Sequence, residues 1–272
     1  MDLNTVAEVV RPSTRDEIPD LHDGDAWLAG GTWLFSETQP DVRRLIDLEG
    51  LRWEALRVDE QGLAIAATCT ISQLDAFSVN QDWRAAPLIR QCCRSLLASF
   101  KIWNTATVGG NICMALPAGA MISLTTSLEG VCTIWQPDGG ERRVPVVDFV
   151  TGVHQNALGP GEFLRSIDLP ASALHKRTSF RRMSLTHMGR SSVLLIGTLC
   201  PLEGSFKLTV TAGTIRPILL QFPQVPAFDQ LRSKLREAIP DALYLDDVHG
   251  TPAYRKHMTF HFAEEIRSEL LA

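Results

Sequence analysis

The sequence lacks the patterns that mark the commonest enzyme classes. Its six cysteines, Cys69, Cys92, Cys93, Cys113, Cys132 and Cys200, form no C-x-x-C pair, no Cys/His set at zinc spacing and no iron–sulfur spacing. The chain therefore carries no cluster of its own, and its thiols read as reduced and buried, which suits a cytoplasmic protein. No apolar run approaches the ~20 residues of a membrane span, and the stretch MDLNTVAEVVRPSTRDEIPD is acidic and has no apolar leader core. G-x-G-x-x-G and G-x-x-x-x-G-K-[ST] are both missing, which argues against a Rossmann domain and a P-loop NTPase. G-x-S-x-G is missing as well, and His22, His154, His175, His187, His249, His257 and His261 are scattered, so nothing supports a Ser-His-Asp hydrolase. His257 and His261 lie four apart on a helical stretch, but without a third ligand or an H-E-x-x-H pattern no metal is expected. A formal net charge of −5 leaves no broad basic field, so neither nucleic acid nor an anionic membrane is expected as the main partner.

What is present is ordinary globular material. The 272 residues are 45% hydrophobic and 21% charged. That is enough apolar surface for a folded chain and long enough for at least two domains. The first fifty residues read as a small α/β unit. VAEVV, Ala26–Ala29 and VRRLIDL are short strands, and a brief helix over Arg15–Leu21 is capped by Ser13 or Thr14. Two strands then turn at Gln61-Gly62, and a helix starts at Ile71 with Thr70 or Ser72 as its cap. A second helix from Pro87 places Leu88, Cys92, Leu96 and Leu97 on one face and Arg90 and Arg94 on the other. SLTTSLEG continues as a helix, a hairpin turns at Pro137–Gly140, and GEFLRSIDLP is a strand ended by Pro170. Beyond the ASALHKRTS junction, SFRRMSL, SSVLLIGTLC and FKLTVTAGT alternate as three antiparallel strands. AFDQLRSKLREAI and TPAYRKHMTFHFAEEIRSELLA have helical spacing.

Two glycine pairs stand out, Gly30-Gly31 in AGGTW and Gly109-Gly110 in TVGGNICMALPAGAM. Glycine has no Cβ and reaches φ > 0 cheaply. A Gly-Gly after a strand can therefore turn successive N–H groups toward one point and admit a pyrophosphate close to the main chain. Thr32, Thr107 and Asn111 would add side-chain hydrogen bonds without a lysine. Either pair alone also reads as a plain turn; their joint occurrence is what suggests a two-sided cradle.

Taken in order, AGGTWLF, RRLIDL, NTATVGGNICMALPAGA, GEFLRSIDLP and GTPAYRKHM resemble the flavin-binding subunit of molybdenum hydroxylases, the xanthine dehydrogenase and carbon monoxide dehydrogenase medium-chain family. The resemblance spans nearly the whole chain and is most specific in the AGGT and T-V-G-G-N-I pair with its P-A-G loop. It implies an α+β fold. A two-subdomain FAD-binding (PCMH-type) region would span residues 1–173, with subdomains of about 1–52 and 53–173, and a C-terminal domain over 174–272 would hold a small antiparallel sheet and helices.

The resemblance also implies that FAD lies between two walls. Ala29, Gly30, Gly31, Thr32, Trp33 and Leu34 form one, and Thr107, Gly109, Gly110 and Asn111 the other, with N–H groups on the pyrophosphate. Phe163 and Leu164 would lie along the isoalloxazine, and Leu97 and Ala98 near the ring or the adenine. Ala120 stands where an acidic residue is usual near the flavin, Arg182 where a lysine is common, Trp33 where Asp, Glu or Ser is common, and Trp103 where an arginine is frequent. No catalytic side chain and no metal ligand is expected in the chain itself. Electrons would arrive from an iron–sulfur (2Fe-2S) subunit and a molybdopterin-binding large subunit, pass to FAD, and leave to NAD, oxygen or another acceptor. Ala120 and Trp33 also fit a second reading, a subunit of the same fold that binds FAD weakly or not at all and serves as a scaffold. A third makes the glycine pairs turns of an unrelated module.

Overall fold

A computed structural model describes residues 4–78, 82–186 and 189–272. The first unit is a parallel sheet of β1 (Glu8–Val10), β2 (Asp25–Leu28) and β3 (Arg44–Asp47), in the order β1-β3-β2. Leu45 and Ile46 of the central strand are its buried centre. The expected helix over 15–21 contracts to a single 3-10 turn, Arg15–Glu17. The following Pro19 disfavours the helical region for Ile18, which is extended (φ −68°, ψ 120°). Thr14 makes no side-chain cap; instead Glu17 reaches back to accept from the Ser13 N–H at 2.8 Å.

The second unit is built on an antiparallel sheet. β4 (Leu56–Asp59), β5 (Gly62–Ala66), β6 (Val131–Trp135) and β7 (Glu141–Pro145) are followed by a small hairpin of β8 (Val150–Gly152) and β9 (Gln155–Asn156). The long β10 (Phe163–Pro170) then inserts between β5 and β6, giving the order β4-β5-β10-β6-β7. Short helices cover it: α1 (Ile71–Asp75), α2 (Ala86–Ser95), α3 (Phe100–Trp103), α4 (Val108–Cys113), α5 (Ala120–Ser127), α6 (Val146–Phe149) and α7 (Ala171–Leu174). Thr70 caps α1 in a full capping box with Gln73. α2 stops at Ser95, not at the end of the LLASF run. Leu96 is extended, and the Ser95 hydroxyl turns back to the Cys92 carbonyl at 2.7 Å. Leu88 and Cys92 are buried and Arg90 and Arg94 exposed as their spacing predicts, but Leu96 and Leu97 lie beyond the helix.

The third unit has one strand more than the three expected. β11 (Arg177–Ser184), β12 (Ser191–Leu199), β13 (Phe206–Thr211) and β14 (Ile218–Phe222) form an antiparallel sheet in chain order. The added β14, ILLQF with prolines on both sides, has a single polar residue, Gln221, too little to show a period in the sequence. Helices α8 (Phe228–Ala238) and α9 (Pro252–Leu271) close the chain. β12 is covered on both faces. Val193 and Leu195 join the core under α8 and α9, while Leu194 and Ile196 join the core of the second unit. Between the two sheets lies α5, with all eight residues buried. It packs on β12 and β13, and its Ser123 Oγ sits 2.7 Å from Thr211 Oγ1.

Cys69, Cys92, Cys93 and Cys132 are buried, whereas Cys113 and Cys200 are half-buried. Burial pushes the Cys69, Cys93 and Cys113 thiols up to about 12, and those of Cys92 and Cys132 upward as well. None of these five is a nucleophile at neutral pH.

Candidate cofactor site

Where β2 ends, the chain turns through Ala29–Ser36, and Gly31 takes φ +66°. The Phe35 N–H returns to the Gly31 carbonyl at 2.8 Å and the Ser36 N–H to that of Trp33 at 2.9 Å. Among the described residues, the main-chain N–H groups of Gly31, Thr32, Trp33 and Leu34 donate to nothing in the chain. This is a fan of four free donors in a half-exposed turn, the arrangement that receives an anion.

The second glycine pair is built differently from the turn that the sequence suggests. Gly109 and Gly110 lie in the first turn of α4, capped by Thr107, whose Oγ1 accepts from the Gly110 N–H at 3.0 Å. The Gly109 N–H goes to the Ala67 carbonyl at 3.0 Å and the Val108 N–H to that of Cys69 at 2.8 Å. These donors are committed, so the N–H cradle belongs to the first loop alone. Glycine is needed here for closeness: a Cβ on Gly109 would stand 2.5 Å from that of Ala67. On Gly110 it would meet only Thr107 Oγ1, at 2.9 Å, and otherwise the open cavity. The two jaws touch at Gly30, where a Cβ would fall 1.9 Å from the Thr105 carbonyl oxygen.

Between them lies a cavity of about 480 Å³, within the usual range for ligand pockets, roughly 300–1,000 Å³. Its lining brings together Ala29, Gly30, Gly31, Thr32, Trp33, Leu34, Leu97, Ala98, Thr107, Gly109, Gly110, Asn111, Phe163 and Leu164. Asn111 Oδ1 accepts the Met121 N–H at 3.0 Å, which fixes the amide and ties α4 to α5. The Trp33 ring lies 5.5 Å from that of His154 in the β8–β9 turn, so the departure at this position is a packing contact between the first loop and that hairpin. Phe163 and Leu164, the first two residues of β10, both line the cavity, and the strand bulges just after them, between Leu164 and Ser166. Phe163 also packs on Trp27, ring centroids 4.4 Å apart.

Two expected residues are not brought to the cavity. Ala120 is 1% exposed at the start of α5, where it contributes to the core. Arg182 stands one residue behind the wall: its Nε donates to Ser191 Oγ at 2.7 Å and its Nη2 to the Gly189 carbonyl. Arg190 and Ser191 line the cavity in its place. No local pattern marks these two, because the start of β12 reaches the cavity only through tertiary packing. Cys113, Met114, Leu116 and Leu158 also line it. Of the histidines, His187 lies outside the described residues; His257 and His261 stack on α9 with rings 6.5 Å apart, remote from the lining. Among the described residues, no group of three His, Cys, Asp or Glu is placed to hold a metal.

Two ion pairs anchor the strands that lead into the site, although none of their four residues lines the cavity. Glu162, just before β10, pairs with Arg142 at 2.6 Å and accepts the Gly159 N–H at 2.7 Å, and Arg142 holds its carboxyl down at about 2. Asp25 of β2 is likewise held at about 2 by hydrogen bonds from Arg44. Both pKa values lie below those of the unfolded chain, so the stabilisation is complete above the unfolded range near 4 and is lost as pH falls toward 2. Thermal melts between pH 5 and pH 2 should therefore show a declining midpoint, and Glu162→Gln should flatten that slope. An unchanged slope would mean that the pair contributes nothing.

Residues 5–172 match the family described as the FAD binding domain in molybdopterin dehydrogenase. The chain belongs to that family, and FAD is its cofactor. It is similar to the nicotinate dehydrogenase FAD-subunit of Eubacterium barkeri, 28% identical over 58% of this chain and 55% of that one. It is also similar to the caffeine dehydrogenase subunit beta of Pseudomonas sp. (strain CBB1), 26% identical over 67% and 64%. It thus spans between about half and two thirds of the length of these relatives. In fold it matches quinoline 2-oxidoreductase from Pseudomonas putida 86, with a TM-score of 0.79 at 18% identity over 99% of this chain and 98% of that one. Carbon monoxide dehydrogenase from Hydrogenophaga pseudoflava gives a TM-score of 0.74 at 18% identity over 89% and 88%. The α+β architecture inferred from the sequence is that of these matched chains.

Proposed function

We propose that this chain is the FAD-binding electron-transfer component of a multi-subunit molybdenum hydroxylase. It would take electrons from a partner's two-iron clusters, reduced in turn by a molybdopterin-bearing large subunit, and release them to NAD or another acceptor. The observation that carries this reading is the run of main-chain N–H groups at Gly31–Leu34 that find no partner among the described residues, in a loop lining a cavity whose other wall is kept bare by Gly110. When bound, FAD accepts and releases electrons; the protein positions and tunes it. The first loop offers its donors to the pyrophosphate, Thr107 and Asn111 add polar groups, and Phe163, Leu164, Leu97 and Ala98 supply apolar surface for the rings. The proposed FAD-binding region is 1–173, with subdomains near 1–52 and 53–173, and 174–272 is the C-terminal domain. No described helix is long and apolar enough to cross a membrane, and we place the complex in the cytoplasm. The scaffold reading is not favoured, since the family match covers the glycine loops and Ala120, although next to the lining residue Gly119, does not itself line the cavity.

The purified chain, supplied with FAD and then freed of unbound cofactor, should retain flavin bands at roughly 370 and 450 nm. Their absence would sink the proposal, and copurification with iron–sulfur and molybdopterin chains checks the assembly. Gly110→Val should abolish FAD retention while circular dichroism stays near that of the parent. The added branch fills the cavity side, and Gly110 has helical φ, so its own backbone is not strained. Normal FAD retention in this variant would place the cofactor elsewhere.

A further inference from the structure

Among the described residues lining the cavity, Arg190 is the single charged one, and no carboxylate faces the space. The other lining groups are apolar side chains, glycines and the neutral polar groups of Ser95, Thr32, Thr107, Asn111 and Ser191. Arg190 comes from the C-terminal sheet and belongs to neither glycine loop. The segment around it is bolted down: Arg182 donates to the residue before it, through the Gly189 carbonyl, and to the residue after it, through Ser191 Oγ at 2.7 Å. Ser192 continues the restraint, its Oγ donating to the His249 carbonyl at 2.6 Å.

We infer that Arg190, positioned by Arg182, is the counter-charge for the negative charge that a bound isoalloxazine gains on reduction. This rests on the cavity being the seat of FAD. Uptake of two electrons and one proton leaves one net negative charge on the ring, which a nearby cation in a poorly solvated pocket stabilises. The charge of the pyrophosphate already has its donors, the four N–H groups of Gly31–Leu34, on a different segment. With one positive and no negative lining group among the described residues, the site would favour reduced over oxidised flavin and so raise the potential of a bound FAD. Arg182 touches no ligand in this arrangement. Its two bonds fix where Arg190 stands.

The test uses the full chain loaded with FAD, in equilibrium with reference dyes of known potential, while flavin fluorescence gives the affinity for oxidised FAD. Arg190→Gln should keep the affinity for oxidised FAD within about threefold and lower the reduced-to-oxidised ratio at fixed potential at least tenfold, about 30 mV for a two-electron couple. Arg190→Lys should recover most of that ratio, because charge rather than the guanidinium fork carries the effect. Arg182→Gln should shift the ratio in the same direction by a smaller factor; a ratio equal to that of the parent would remove Arg182 from the arrangement. If Arg190→Gln loses FAD outright, or loses affinity with its potential unchanged, the guanidinium serves the pyrophosphate and the inference is overturned. An unaltered potential and affinity overturn it equally. Failure of the parent chain to bind FAD would instead count against the proposed function.

Discussion

Gly30→Ala should strip the protein of FAD and lower its melting temperature by about 6 °C. A methyl group on Gly30 falls 1.9 Å from the Thr105 carbonyl oxygen and 2.8 Å from its carbon. Both are backbone atoms, so no side chain can swing aside. Segment 105–108 is itself pinned, with the Ala106 carbonyl taking the Ile71 N–H at 2.9 Å and the Val108 N–H bonded to Cys69. The first loop must move away from the second. Overpacking of this kind costs about 3 kcal/mol, and about 2 °C per kcal/mol applies to a chain of this size. The same displacement carries the Gly31–Leu34 donors out of register with the opposite wall, so flavin absorbance of the purified variant should fall more than tenfold. Differential scanning fluorimetry and the 450 nm band check both halves. A variant with parental midpoint and flavin content would show that the two jaws do not meet at Gly30.

The largest effect on stability alone should come from Arg255→Met. The Arg255 side chain is 1% exposed. Nη1 donates to the carbonyls of Ser192 and, at 2.9 Å, Ala212; Nε donates to that of Gly250 at 3.0 Å; and Nη2 pairs with Asp247. One guanidinium thus joins the edge of β12, the end of β13, the turn before α9 and the first turn of α9 itself. Methionine fills much of the volume but leaves buried carbonyls without a donor, each worth about 1–3 kcal/mol. A loss of about 4 kcal/mol and about 8 °C is expected. Arg255→Lys should fall between parent and methionine, since one ammonium cannot span the fork. Below the transition the methionine variant should still bind FAD, because Arg255 does not line the cavity. A melting point within 2 °C of the parent would mean that water replaces the lost donors.

Much of this could be read from the chain because local chemistry agreed with the final fold. Thr70 three residues before Gln73 makes the α1 cap, and Pro87 stands in the first turn of α2; SSVLLIGTLC does form a strand, β12, but as an apolar run buried on both faces and not by alternation. Of the sixteen residues that the resemblance implies around the cofactor, fourteen line the cavity, and Ala120 and Arg182 do not. What could not be read depended on distant partners or on competition within a few residues. Thr107 followed by Gly110 is a cap spacing, yet two glycines suggested a turn; the tight contact with Ala67 holds them in a helix. Pro19 overruled the helical pattern before it. That Arg190 and not Arg182 lines the cavity goes with hydrogen bonds from Arg182 to Gly189 and Ser191, seven and nine residues away, which no local pattern announces, and β14 is too short to declare a period.

The burial of α5 has a consequence for how the molecule comes apart. A helix with no free face belongs to both of its neighbours: the sheet of the second unit cannot lose it without losing its own lid, and β12–β13 cannot expose Leu194 and Ile196 without drawing water onto it. Heating should therefore give one calorimetric peak for the whole chain, with no separate early melting of the C-terminal sheet. A gene cut at the end of the family match, after residue 172, would release a fragment carrying a raw apolar scar along α5, prone to self-association rather than ready to serve as a smaller flavoprotein.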